Sequence, residues 1–267
     1  MRLMREIRFY MGFFGPDVPT VPRNTWAGTY ASGLGAFWTL RAGLDGSMNP
    51  RTGYLCDIKL IDDLLRSHVQ PRLTKTVREA GASLDELAAT LGQAIPPGQA
   101  GLPAGIGVGF VELALSPHTR ITVLRSASNM VTFTQSFEFA ASHRLSCSDL
   151  TETENRKLFG KCSNPHGHGH NYVVEVSVAG EPSKVPGNVV DVTHLDQVVR
   201  ERVVEPFDHR NLNIECPEFA GMNPTVENIA KVIWDRLEGS FERCRLQKIR
   251  VWETPKTYAE YTGVNPS

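Results

Sequence analysis

The residues with the most chemical content lie in one run, Gly160-Lys161-Cys162-Ser163-Asn164-Pro165-His166-Gly167-His168-Gly169-His170-Asn171-Tyr172. Side chains two residues apart in an extended chain point to the same side, so the three histidines share one face if this run is a strand. Tyr172, Val174, Val176 and Val178 keep the parity of His168 and His170, which makes the imidazoles the continuation of an apolar, inward face. A second segment has the same character: Val131, Phe133, Phe137, Phe139, Ala141 and His143 share one parity. Three imidazoles from two strands can therefore converge on a metal, and a nearby cysteine would complete a catalytic site of the open, three-ligand zinc type. His166, two residues before His168, is either a fourth ligand or a residue facing the substrate. A purely structural zinc site normally has four protein ligands, and only three are clear here. His68, His118 and His194 carry no such context and read as structural, as do Cys56, Cys147, Cys216 and Cys244.

The elements that must position these groups follow from composition and periodicity. A chain of 267 residues with 41% hydrophobic and 21% charged residues has material for two ordinary domains. Its net charge of -1 gives no general attraction to nucleic acid or to an anionic membrane. Five scattered cysteines point to reduced thiols in the cytoplasm. Met1 to Tyr10 carries Arg2, Arg5, Glu6 and Arg8 without an apolar stretch, so no secretory signal is expected. Ala104 to Leu115 is the most apolar segment, too short to span a bilayer and interrupted by Glu112.

The two halves look alike. In the first, strand-like Phe37 to Arg41 leads to Gly53-Tyr54-Leu55-Cys56-Asp57, then a helix with Ile61, Leu64, Leu65 and Val69 on one face, expected to stop at Gln70-Pro71. In the second, Val173 to Val178 leads to Gly187-Asn188-Val189-Val190-Asp191, then a helix capped by Thr193, lined by Leu195, Val198, Val199 and Val203, and closed by Glu205-Pro206. A second helix follows in each half. One opens with the capping box Ser83-Leu84-Asp85-Glu86; the other has Asn223 as N-cap, Pro224 in the first turn, and Val226, Ile229, Ala230, Ile233 and Leu237 inward. Final strands Val111 to Leu115 and Ile249 to Glu253 each precede a proline, and the Gln93 to Gly109 segment is expected to be a loop. The repeat period of about 135 residues predicts an internal duplication with its boundary near Ser126 to Asn129, giving domains 1–128 and 129–267. Each is expected to be α+β, an antiparallel four-stranded sheet with two helices on one face.

Six motifs within residues 131–262 resemble the 6-pyruvoyltetrahydropterin synthases of the tunnelling-fold (T-fold) group. They are Ala141-Ser142-His143-Arg144-Leu145, Phe159-Gly160-Lys161-Cys162, His166 to Tyr172, Asp208-His209-Arg210-Asn211-Leu212, Pro224-Thr225-Val226-Glu227-Asn228 and Trp252-Glu253-Thr254. The resemblance implies two tandem T-fold units and a Zn2+ ion on His143, His168 and His170. Cys162 would be the general base, with Asp208 and His209 as its proton-handling partners. Glu253 would anchor a pterin ring, with Thr225 and Glu227 also touching it, and Lys161 and Arg144 are candidates for a triphosphate. The implied substrate is 7,8-dihydroneopterin triphosphate, from which triphosphate is eliminated without a redox cofactor.

The first half departs from the pattern. Leu115 stands where Glu253 does, Gly33 and Gly35 occupy the region of the ligand histidines, and Leu73-Thr74 follows Pro71 where Asp208-His209 follows Pro206. The first domain is thus expected to be a degenerate, inactive repeat. T-fold sites lie at seams between units, which implies a homo-oligomer with half the usual number of sites. Two alternatives stand. A 6-carboxy-tetrahydropterin synthase of the queuosine route resembles Cys-x3-His-Gly-His, whereas the pyruvoyl type resembles Cys-x5-His-Gly-His, and the overlapping histidines satisfy both. Asn171-Tyr172 and Phe159-Gly160-Lys161 favour the pyruvoyl type. The second alternative is a non-catalytic pterin- or purine-binding module, against which the joint presence of base, ligands and anchor argues.

Overall fold

The computed structural model describes residues 1–12, 35–80, 83–95, 101–125, 130–181 and 190–263. Gly33, Pro96-Pro97, the expected boundary at Ser126 to Asn129, and Gly187 to Val189 lie outside the described residues. The chain divides into two compact units, Met1–Thr134 with Ala179–Val190, and Gln135–Val178 with Asp191–Ser267. Among the described residues, no helix is long and apolar enough to cross a membrane.

The first unit starts with β1 (Arg2–Gly12) and β2 (Gly35–Asp45). Helix α1 (Ile58–Leu64) runs through a π turn at Leu65–Val69 into α2 (Gln70–Ala80), and α3 (Leu84–Gln93) precedes the hairpin β3 (Gly107–Ser116) and β4 (Thr119–Leu124). The sheet is antiparallel in the order β1-β2-β3-β4. Only one of its faces is apolar. Ile7, Phe9, Leu40, Leu44, Val111, Leu113, Ile121 and Val123 are buried on it, as are Ile61, Leu65, Leu73, Leu87 and Leu91 of the helices. Each such large side chain contributes about 1.5–3 kcal/mol when fully withdrawn from water. The other face carries ion pairs instead: Glu6 accepts from Arg8 and Arg41, and Glu112 accepts from Arg41 and Thr122. Strand β1 is not anticipated from the sequence, because its charges obscure the alternation of Ile7, Phe9 and Met11.

The first helix does not stop at Gln70-Pro71 as expected. The π turn has already widened the backbone, with the Gln70 N–H donating to the Leu65 carbonyl, and a wide turn accommodates a proline that has no N–H to give. The capping box at Ser83 and Glu86 forms as expected.

The second unit contains β5 (Val131–His143) from Gln135 onward, α4 (Glu152–Phe159), a 3-10 turn at Gly160–Ser163, and β6 (His168–Gly180) as far as Val178. Then come α5 (Val192–Val199), a π turn at Arg200–Val204, α6 (Glu205–Phe207), β7 (Arg210–Asn211) and α7 (Leu212–Glu215). Helix α8 (Val226–Leu237) leads to the hairpin β8 (Arg245–Thr254) and β9 (Thr257–Tyr261). The strand order is β5-β6-β8-β9, with β7 pairing to β5 in parallel. The inward parity expected for β5 and β6 is observed: Phe139, Ala141, His143, Tyr172, Val174, Val176 and Val178 are all buried.

Two N-caps differ from expectation. Asp191, not Thr193, is the N-cap of α5, its side chain accepting from the His194 N–H. Thr225, not Asn223, caps α8 by accepting from the Asn228 N–H, because the Asn223 side-chain oxygen accepts instead from the Ser146 N–H. In both units the π turn ends two residues before a proline, Pro71 or Pro206. The second helix then ends at Phe207, whereas the first continues to Ala80.

Candidate metal centre

The last inward residue of β5 is His143, and the first two inward residues of β6 are His168 and His170. Gly167 lets the two strand ends meet. Its φ of +71° suits glycine, and a Cβ there would lie 3.0 Å from the His143 carbonyl oxygen. The three imidazoles consequently offer ligand atoms that all lie within 4.8 Å of one another. His143 is fully buried, and its Nδ1 lies 2.7 Å from the Pro224 carbonyl oxygen. A carbonyl only accepts, so Nδ1 carries the proton in the neutral ring and Nε2 presents its lone pair to the cluster. That Nε2 is 3.2 Å from His168 Nε2. Burial is also incomplete in a telling way: His168 Nδ1 and His170 Nε2 are buried without a hydrogen-bond partner among the described residues. Three convergent imidazoles, two of them with an orphaned nitrogen, fit a divalent metal.

Glu253 completes the cluster from β8. It shares the inward parity of Ile249 and Val251, and the β8–β9 register shifts between Trp252 and Thr254. Such a bulge frees a residue from the ladder and re-aims it. Its Oε1 lies 3.4 Å from His143 Nε2 and 3.5 Å from His170 Nε2.

Cys162 sits on the 3-10 turn before β6, where its carbonyl accepts from the Leu145 N–H just beyond His143. The thiol is half-buried, and burial, then the negative charge of Glu253, raise its pKa. A cation among the histidines would oppose that second effect.

Burial lowers the pKa of His143, and its other influences include the opposing Pro224 hydrogen bond and the neighbouring His168. Burial likewise lowers that of His170. The unfolded chain therefore binds protons that the folded one refuses, so this contribution to stability is complete above about pH 6.5 and is lost as pH falls below it. Metal-free protein should melt at a lower temperature at about pH 5.5 than at about pH 7.5; equal melting temperatures would contradict the neutral, buried imidazoles.

The other expected site residues are placed differently. Asp208 and His209 lie at the turn from α6 into β7, on the edge of β5 that β7 occupies. Asp208 accepts from the Ala140 N–H at 2.8 Å and pairs with His209 Nδ1 at 2.8 Å, and these two contacts hold its carboxyl below the usual range. His209 has a φ of +57°, rare for a residue other than glycine, and its side chain is 83% exposed. It borders an open cleft of about 540 Å³ lined by Ser142, Gly169, His170, Asn171, Arg210 and Glu215. Thr225 spends its hydroxyl on the α8 cap beside Pro224, and Glu227 is exposed in the first turn of that helix. Arg144 is tied to the Ser163 carbonyl and Lys161 is exposed. His166 is exposed and lies outside the cluster, its N–H held by Asn164 in the turn before β6. Of the two overlapping His-Gly-His pairs, the cluster thus uses His168 and His170.

Two partners of the cluster were not legible beforehand: the Pro224 carbonyl, and Tyr172, whose hydroxyl is 3.5 Å from His143 Nδ1. A backbone carbonyl leaves no trace in side-chain chemistry.

Among the described residues, the first unit has no such centre at the matching strand ends. The last inward residue of β1 is Met11, paired with Ala36, and the next inward residue of β2 is Trp38. Gly35 has the outward parity, which corrects its expected correspondence to a ligand position. Met11 and Trp38 are buried. Leu115 occupies the β3–β4 register shift between Ala114 and Ser116, as Glu253 occupies that of β8–β9.

Residues 132–264 match the family model described as 6-pyruvoyl tetrahydropterin synthase. The human 6-pyruvoyl tetrahydrobiopterin synthase is 44% identical over 125 residues, spanning 47% of this chain and 86% of that protein. The 6-carboxy-5,6,7,8-tetrahydropterin synthase of Haemophilus influenzae is 29% identical over 122 residues, spanning 38% of this chain and 84% of that one. Among solved structures, the 6-pyruvoyl tetrahydropterin synthase of Caenorhabditis elegans covers 51% of this chain and 96% of its own, with 36% identity and a TM-score of 0.48. On the strength of the first of these relatives, matched over most of its length, the chain belongs to the 6-pyruvoyl tetrahydropterin synthase family of enzymes.

Proposed function

We propose that this chain is a zinc-dependent lyase that converts 7,8-dihydroneopterin triphosphate to 6-pyruvoyl-tetrahydropterin with release of triphosphate. The observation that carries this is the convergence of His143, His168 and His170 at one strand end, with Glu253 against them and Cys162 on the adjoining turn. Zinc bound there supplies a Lewis acid for a side-chain oxygen of the substrate. His143 is held in the tautomer that directs Nε2 inward by the Pro224 carbonyl. Cys162 takes the proton from the hydroxyl-bearing carbon as a thiolate. Glu253 accepts from the N–H groups of the pterin ring, and Thr225 and Glu227 lie at the start of the helix that follows Pro224. Asp208 fixes His209 through Nδ1 and leaves Nε2 to exchange protons. Their exposure suits them to act on a neighbouring chain of a homo-oligomer.

The spacing also favours the pyruvoyl product. With His168 and His170 as the pair in the cluster, five residues separate it from Cys162, as in Cys-x5-His-Gly-His. We further infer that the first unit is a degenerate T-fold repeat, domain 1–128, tandem to a catalytic domain 129–267. Its shared π turn and proline, and the apolar Met11, Ala36, Trp38 and Leu115 at the chemical positions, support that. All five cysteines are free, which supports a cytoplasmic setting. Incubating the zinc-loaded chain with dihydroneopterin triphosphate should yield 6-pyruvoyl-tetrahydropterin and triphosphate. Acetaldehyde and a carboxylated pterin would assign the 6-carboxy activity instead, and unchanged substrate would leave a pterin-binding module.

A further inference from the structure

We propose that Glu253 is the fourth protein donor to the metal while no substrate is bound, closing the position that the three histidines leave open. The proposal rests on the metal reading above and concerns a different step, the resting state of the site.

Distances carry it first. Metal–donor bonds of about 2.0–2.1 Å at tetrahedral angles put neighbouring donor atoms about 3.3–3.4 Å apart. His143 Nε2 to His168 Nε2 is 3.2 Å, Glu253 Oε1 to His143 Nε2 is 3.4 Å, and Glu253 Oε1 to His170 Nε2 is 3.5 Å. A direct hydrogen bond between a carboxylate and an imidazolium would close to about 2.7–2.9 Å. Glu253 Oε1 instead stands off from two imidazoles by nearly equal amounts, as donors do around a shared cation.

The tautomer carries it second. Because the Pro224 carbonyl takes the Nδ1 proton of His143, the Nε2 of the neutral ring meets Glu253 Oε1 lone pair to lone pair. His170 Nε2 is buried and has no hydrogen-bond partner among the described residues, Glu253 included. The Glu253 side chain, only 17% exposed, thereby presents an oxygen to the His143 lone pair and lies 3.5 Å from the unpartnered His170 Nε2, an arrangement that a cation between them makes favourable. Glu253 has a second oxygen, so the ring-anchoring role survives. A substrate oxygen would compete with this carboxylate for the ion, and a displaced Glu253 would have both oxygens for the ring.

The test is zinc affinity by chelator competition for the parent, Glu253→Ala, Glu253→Gln and His168→Ala, with melting of each metal-free protein as the folding control. Glu253→Ala should bind zinc about tenfold or more weakly than the parent. Its cobalt(II) form should also show a change of visible absorption with azide at concentrations that leave the parent unaltered. Should the alanine variant not fold, Glu253→Gln carries the same comparison. Unchanged zinc affinity and an unchanged azide response, alongside loss of metal in His168→Ala, would overturn the role of Glu253 alone. Retention of zinc by His168→Ala would instead overturn the metal reading on which the proposal rests.

Discussion

Replacing Cys162 by alanine is expected to reduce turnover of dihydroneopterin triphosphate by about 10²- to 10⁴-fold, the usual worth of a positioned base. Metal content and melting temperature should be unaffected, because the fixed contact at this residue is the hydrogen bond from the Leu145 N–H to its carbonyl, which alanine retains. The thiol is poorly prepared for this work in the metal-free protein, where burial and then Glu253 both raise its pKa. A dication among the histidines counters the Glu253 charge and shifts the thiol toward thiolate. Alkylation of Cys162 by iodoacetamide near neutral pH should therefore be faster in the zinc-loaded protein than in the metal-free one. A Cys162→Ala variant with near-parental turnover would move the base to His209.

His143→Ala and His168→Ala are both expected to abolish zinc binding and with it turnover, but only the first should also destabilise the metal-free protein. His143 is completely buried and donates to the Pro224 carbonyl, so its loss leaves a cavity and an unsatisfied acceptor costing about 1–3 kcal/mol. His168 is half-buried, its Nδ1 has no hydrogen-bond partner among the described residues and its Nε2 meets only the His143 ring, so truncation there removes less that holds the metal-free fold together. Metal analysis and melting curves of the two metal-free variants check this. Equal destabilisation by both substitutions would contradict the tautomer assigned to His143.

The parity of β5 and β6 made the histidine cluster legible in advance. Alternation is a property of the strand itself, and His143, His168 and His170 prolong faces already marked by Phe139, Ala141, Tyr172 and Val174. The helix stripes were legible for the same reason. Boundaries were less so. Pro71 was expected to end a helix that a π turn carries past it, and Thr193 and Asn223 lost the N-caps to Asp191 and Thr225, whose side chains reach the free N–H groups. Strand β1 stayed hidden because Glu6 pairs with Arg41 and Arg5 with Asp62, partners that lie far away in the chain. The Asp208–His209 pair was recognised by type, yet its position on the β7 edge of β5 follows from the Ala140 backbone, which no side-chain pattern records.

Zinc per chain in the purified, dialysed protein tests the central claim most directly. One ion per chain is the predicted result, since His143, His168 and His170 converge in the second unit while Met11, Ala36 and Trp38 stand at the corresponding strand ends of the first. Two ions per chain, or none after loading with excess zinc, would contradict it.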